Sequence, residues 1–127
     1  MAVEAVDLLL CQLIVDLAKV KIAVIGAGNL GSKIALKLVE RGAYIRASHL
    51  NLEKLKKIVR GLNEIKSDYT LATINVAKDN LEACRGAHVI VACTNKKGVV
   101  TKKMVDLMSK ERPPISVSYT HLRAHET

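Results

Sequence analysis

Aliphatic runs and helical stripes alternate along this chain from residue 20 onward. Val20-Lys21-Ile22-Ala23-Val24-Ile25 is a short β-branched run, the pattern of a strand buried on both faces. Over residues 29–41, Leu30, Ile34, Ala35, Leu38 and Val39 recur at helical spacing, and Gly42 stops the helix. A second strand is expected over 43–47, followed by a helix capped by Asn51 and ending near Leu62. Residues 63–70 are polar and read as a loop. Residues 71–76 predict a third strand, less hydrophobic than the others, as suits a sheet edge. A brief helix over 80–84 leads to a strongly apolar strand over 88–93. A polar loop over 94–98 then precedes a helix capped by Thr101, and Pro113-Pro114 precede a fifth strand starting at Ile115.

Strands that alternate with helices in this way predict an α/β domain with right-handed crossovers. The expected architecture is a Rossmann-type doubly wound parallel sheet of order 3-2-1-4-5, cut short at its fifth strand. Three segments follow. Residues 1–19 form an apolar leading helix in which Glu4, Asp7, Gln12 and Asp16 argue against a membrane span. Residues 20–116 form the domain itself. Residues 117–127, which include His121 and His125 at i, i+4 spacing, break the preceding pattern. They resemble translated sequencing-adapter read-through and are expected to be a non-native tail, with the native chain continuing past Ser116. The two histidines are therefore not read as a metal site, and no metal is expected.

Composition sharpens this picture at three points. Half of the residues are hydrophobic, yet the aromatics are only Tyr44, Tyr69 and Tyr119, so the core must be built from Val, Ile, Leu and Ala. Modules that stack nucleic-acid bases on aromatic rings are disfavoured for the same reason. The formal charge of +8 could steer an anionic partner. Lys54, Lys56, Lys57 and Arg60 nevertheless alternate with Leu52, Leu55, Ile58 and Val59 in one segment, which reads as the solvated face of an amphipathic helix. Cys11, Cys84 and Cys93 are odd in number, lack a C-x-x-C pair and sit in apolar runs. They read as small buried residues of a protein in a reducing, cytoplasmic setting.

The candidate chemistry lies after the first strand. Gly26-Ala27-Gly28-Asn29-Leu30-Gly31 matches G-x-G-x-x-G between a strand and a helix, the context that makes this spacing specific. Gly26 allows a tight turn, Gly28 lets a diphosphate approach the backbone, and Gly31 lets the helix pack on the strand. The amides and dipole at the helix start would then bind the phosphates. At the end of the second strand an NAD site presents a carboxylate to the ribose. Here Ser48, His49 and Leu50 follow Arg46, and no carboxylate comes before Glu53. That favours NADP over NAD. Thr94, at the end of the fourth strand, stands where a hydroxyl can reach the cofactor. The candidate cofactor-binding residues are thus Gly26, Gly28, Asn29, Leu30, Gly31, Ser48, His49 and Thr94, and no catalytic residue is identified.

Three stretches resemble the cofactor domain shared by glutamyl-tRNA reductase and shikimate/quinate dehydrogenase. They are the run from Val24 to Gly31, Asn51-Leu52-Glu53-Lys54-Leu55, and Ala87-His88-Val89-Ile90-Val91-Ala92-Cys93-Thr94 with the later Val99-Val100-Thr101-Lys102-Lys103-Met104-Val105. The resemblance covers most of the chain and implies a nicotinamide-dependent oxidoreductase. This domain would present the dinucleotide, and a domain outside this chain would hold a small-molecule substrate. The chain departs from the pattern at Leu50, where the family has an arginine for the 2′-phosphate of NADP, and at His88, where an aspartate is usual. A tRNA partner follows only through the reductase, since no nucleic-acid recognition motif is present. A regulatory module that senses a dinucleotide without chemistry is the alternative, because fold does not dictate function.

Overall fold

A computed structural model describes residues 20–68, 70, 72–93, 99–110 and 115–118. The leading helix expected over 1–19, Thr94, and the tail beyond residue 118 lie outside the described residues. The strands are β1 (Lys21–Ile25), β2 (Tyr44–Ser48), β3 (Ile74–Val76), β4 (Val89–Ala92) and β5 (Ile115–Ser118). The helices are α1 (Asn29–Glu40), α2 (Leu52–Ile65), α3 (Asn80–Cys84) and α4 (Lys102–Asp106). The first four strands form a parallel sheet of order 3-2-1-4, and β5 pairs in parallel on the free side of β4. β5 runs across the boundary expected at residue 116.

The alternation of side chains along the strands divides the core into two layers. Ile22 and Val24 of β1, Ile45 and Ala47 of β2, and Val89 and Val91 of β4 face α1 and α2. Ala23, Ile25 and Ile90 face the opposite way, onto Ala83 and Cys84 of α3 and Met104 of α4. β1 and β4 lie between both layers, which is why they read as unbroken apolar runs.

β2 and β3 differ. α3 has five residues and leaves part of their second face uncovered, so Tyr44 and Arg46 alternate outward. Arg46 uses its guanidinium there to donate to the carbonyls of Glu82 and Arg85, at 3.2 and 3.0 Å. It closes the C-terminal end of α3 on the face away from α1.

α2 is longer than the apolar stripe alone suggests. Leu55 and Val59 are buried, while Lys54, Lys56, Lys57 and Arg60 are exposed, so the basic stretch is indeed a solvated helix face. The helix continues through Asn63, read above as loop. The Asn63 carboxamide donates to the Ile74 carbonyl at 2.9 Å and accepts from the Ile74 amide at 3.1 Å. One side chain thereby mimics a neighbouring strand at the β3 edge. Asn63→Ala strands both backbone groups and is expected to cost about 1–3 kcal/mol. Thermal denaturation of the variant checks this, and an unchanged midpoint would remove Asn63 from any role in holding β3. Among the described residues no helix is long and apolar enough to cross a membrane.

Candidate functional site

The glycine-rich bend connects β1 to α1 at the carboxyl edge of the sheet, the side on which open α/β sheets bind ligands. Gly26 adopts φ 77°, a left-handed conformation that other residues enter only at a cost. The bend is anchored to the neighbouring strand, because the amides of Gly26 and Ala27 both donate to the Ser48 carbonyl, at 3.0 and 2.9 Å. The Gly28 amide turns back onto the Gly26 carbonyl at 2.8 Å. The amides of the bend proper are therefore used internally. The donors left for a ligand come one step later, at Asn29, Leu30 and Gly31, whose amides have no acceptor among the described residues.

That end of α1 is built differently from the other helix starts. Asn51 caps α2, Asp79 caps α3 and Thr101 caps α4, each by a side chain accepting from a main-chain amide. α1 has Gly28 at this position, no side-chain cap and no acidic residue in its first turn. An uncapped helix start exposes three amides and the positive end of the dipole, the arrangement that binds phosphate. The space is available too. A methyl group at Gly28 would meet nothing within 4 Å, whereas one at Gly31 would come within 3.0 Å of the Gly26 carbonyl oxygen. Protein packing thus demands a glycine at Gly31 but not at Gly28.

Beside the bend opens a cleft of about 290 Å³, lined by Gly26, His49, Leu50, Lys78, Asp79 and Asn80 among others. His49 enters it from the end of β2, and its Nδ1 accepts from the Asn51 amide at 2.9 Å. Leu50 projects fully into solvent. Ser48 is 1% exposed, and its hydroxyl donates to Asn80 Oδ1 at 2.6 Å, so it acts as a strut between β2 and α3. Leu30 packs partly against the α1-side core and Asn29 is exposed. Of the candidate residues, Gly26 and His49 line this cleft, Gly28, Asn29, Leu30 and Gly31 make up the start of α1 beside it, and Ser48 is buried at the end of β2. Lys78, Asp79 and Asn80 were missed from the sequence. They lie just past the carboxyl end of β3, and reading the residues after every strand of a 3-2-1-4 sheet would have found them.

The two described cysteines supply no nucleophile. Burial pushes the Cys84 thiol up to about 11 and the Cys93 thiol up to about 12, so both stay protonated at neutral pH. Cys93 lies instead under Gly31, against the helix start.

Comparison with known proteins then fixes the family. A family model described as NADP oxidoreductase coenzyme F420-dependent matches residues 21–120. The chain belongs to this family. The match places it among NADP-binding oxidoreductase domains. A search of curated proteins gave no match.

Solved structures share the fold of this NADP oxidoreductase domain. Shikimate dehydrogenase from Aquifex aeolicus superposes with a TM-score of 0.66 at 23% identity, over 92% of this chain and 41% of its own. Glutamyl-tRNA reductase from Methanopyrus kandleri gives 0.69 at 16% identity, over 98% of this chain and 36% of its own. These are the two enzymes whose cofactor domain the sequence resembles. Ornithine carbamoyltransferase from Gloeobacter violaceus gives 0.74 at 19% identity, over 93% of this chain and 44% of its own. The chain spans less than half the length of each. A carbamoyltransferase in this company means that the fold leaves the chemistry open, and the family match and the crevice must argue for it.

Proposed function

We propose that this chain is the cofactor-binding domain of an NADP-dependent oxidoreductase and presents the nicotinamide for hydride transfer. The observation that carries the reading is the start of α1, with three free amides, no competing cap and open space above Gly28. The amides of Asn29, Leu30 and Gly31 would hold the diphosphate. The adenosine half would run past His49 into the cleft between the ends of β2 and β3.

When bound, the dinucleotide supplies the hydride, and the protein supplies binding, orientation and electrostatics. A partner domain outside this chain would hold the substrate across the crevice. The family description names coenzyme F420 beside NADP, which makes that coenzyme one candidate for the other hydride carrier. The resemblance to shikimate dehydrogenase and glutamyl-tRNA reductase makes a small carbonyl or acyl substrate the other.

The choice of NADP rests on the end of β2, where Ser48, His49 and Leu50 offer the ribose no carboxylate. Titration of the 127-residue chain with NADPH and NADH, followed by nicotinamide fluorescence, tests both parts. The expected result is at least about tenfold tighter binding of NADPH, equivalent to about 1.4 kcal/mol. Equal affinities, or a preference for NADH, would overturn the choice of NADP. Binding of neither nucleotide would overturn the dinucleotide reading.

A further inference from the structure

We infer that Lys78, just past β3, is the cation that recognises the 2′-phosphate of NADP in this chain. The inference rests on the dinucleotide reading above and names the residue that sets its selectivity.

The end of β2 does not supply this charge. Ser48 is buried and committed to Asn80. Leu50, at the position where the resembled family carries arginine, is apolar and fully exposed. Arg46 shares a neighbouring pocket with Lys78 but does not line this cleft, and its guanidinium donates there to the carbonyls of Glu82 and Arg85. His49 lines the cleft, and its Nδ1 lone pair is taken by the Asn51 amide, which leaves its Nε2 side as a hydrogen-bond donor to a ligand.

The neighbouring strand supplies the charge instead. β2 and β3 run in parallel with Ala47 opposite Val76, and the Ala77 amide carries the pairing on by donating to the Ala47 carbonyl at 2.9 Å. His49 and Lys78 follow just past this last pairing, and both line the cleft. Lys78 is exposed and has no ion-pair partner among the described residues. It lines the cleft together with Gly26, His49 and Leu50. Asp79, the carboxylate of that lining, turns its Oδ1 onto the Glu82 amide at 2.8 Å as the cap of α3. A 2′-phosphate lying over the ends of β2 and β3 would therefore meet the Lys78 ammonium on one side and the His49 ring on the other. Lysine acts here as a point charge on a flexible stem and lacks the paired geometry of arginine.

The test is Lys78→Gln and Lys78→Glu in the 127-residue chain, each titrated with NADPH and with NADH. The expected result for Lys78→Gln is a fall of at least about tenfold in the NADPH-to-NADH affinity ratio, the scale of one charge-assisted hydrogen bond. Lys78→Glu is expected to bring the ratio below one, since a carboxylate repels the phosphate and accepts from a ribose hydroxyl. Lys78 is exposed, so both variants should melt with the wild type. A wild type that prefers NADPH, with Lys78→Gln retaining that ratio, overturns the role of Lys78 and leaves the proposed function standing. A wild type that binds neither nucleotide overturns both.

Discussion

Alanine at Gly28 and alanine at Gly31 are expected to fail in opposite ways, although they change the same motif by one methyl group each. At Gly28 the new methyl meets no protein atom within 4 Å, so folding should shift by less than about 1 kcal/mol, the scale of an N-cap change. It would occupy the open space that a diphosphate needs to reach the amides of Asn29, Leu30 and Gly31. NADPH affinity should fall at least about tenfold. At Gly31 the methyl lands 3.0 Å from the Gly26 carbonyl oxygen and 3.5 Å from Cys93 Cβ. The closer atom belongs to the backbone of the bend and has no rotamer through which to escape, so α1 must lift from β1. Overpacking of this kind costs about 1–3 kcal/mol, and each kcal/mol lowers the melting midpoint of a domain this size by about 4–8 °C. Melting curves and NADPH titrations of both variants separate the two effects. Wild-type affinity in Gly28→Ala would mean that the diphosphate does not lie against this helix start. Wild-type melting in Gly31→Ala would mean that the helix and the bend are not in close contact.

The contrast between these two glycines shows where local pattern ends and tertiary structure begins. The spacing Gly26, Gly28, Gly31 between an aliphatic run and a helical stripe located the bend, because strand, turn and helix there are set by neighbours in sequence. Which amides face the crevice depends on a contact between strands. The Ser48 carbonyl takes the amides of Gly26 and Ala27, and twenty-odd residues separate them. Arg46 shows the same boundary. Its place in an alternating strand says that it points away from Ile45, but only the path of α3 decides what lies on that side. Lys78 was legible as a residue following β3, but that it shares a cleft with His49 comes from the pairing of β2 with β3. The polar residues of Asn63-Glu64 hid the last turn of α2, since a helix that anchors an edge strand through a carboxamide carries a polar residue where the stripe would place an apolar one. Local signals therefore carried the scaffold and the glycine bend, while the residues that share the cleft are brought together by pairing between distant segments.

Leu38→Ala should be among the most destabilising single changes in the domain, and bound cofactor should partly reverse it. Leu38 is fully buried on α1 among Ile22, Val24, Ile45 and Val89. The backbone beneath it is also a junction, since its carbonyl accepts from Arg41 at 3.1 Å and Ala43 at 3.3 Å and so turns the chain into β2. This layer consists of aliphatic side chains and alanines, with no aromatic ring among its buried members to swing into a cavity. The cost should therefore fall in the upper part of the range of about 2–5 kcal/mol for buried leucine truncation. Against a total stability of about 5–15 kcal/mol, that is enough to leave a measurable unfolded fraction near physiological temperature. Linkage then provides a second readout. A ligand that binds only the folded state at a hundred times its Kd returns about 2.7 kcal/mol. NADPH should thus raise the melting midpoint of Leu38→Ala, whose crevice is intact, and should raise that of Gly28→Ala by at most about half as much, since a tenfold weaker Kd returns only about 1.4 kcal/mol at the same concentration. A midpoint for Leu38→Ala equal to wild type would refute tight packing beneath α1. A destabilised variant that NADPH fails to rescue, at concentrations that stabilise the wild type, would mean that the loss of Leu38 also distorts the helix start from which the phosphate amides project.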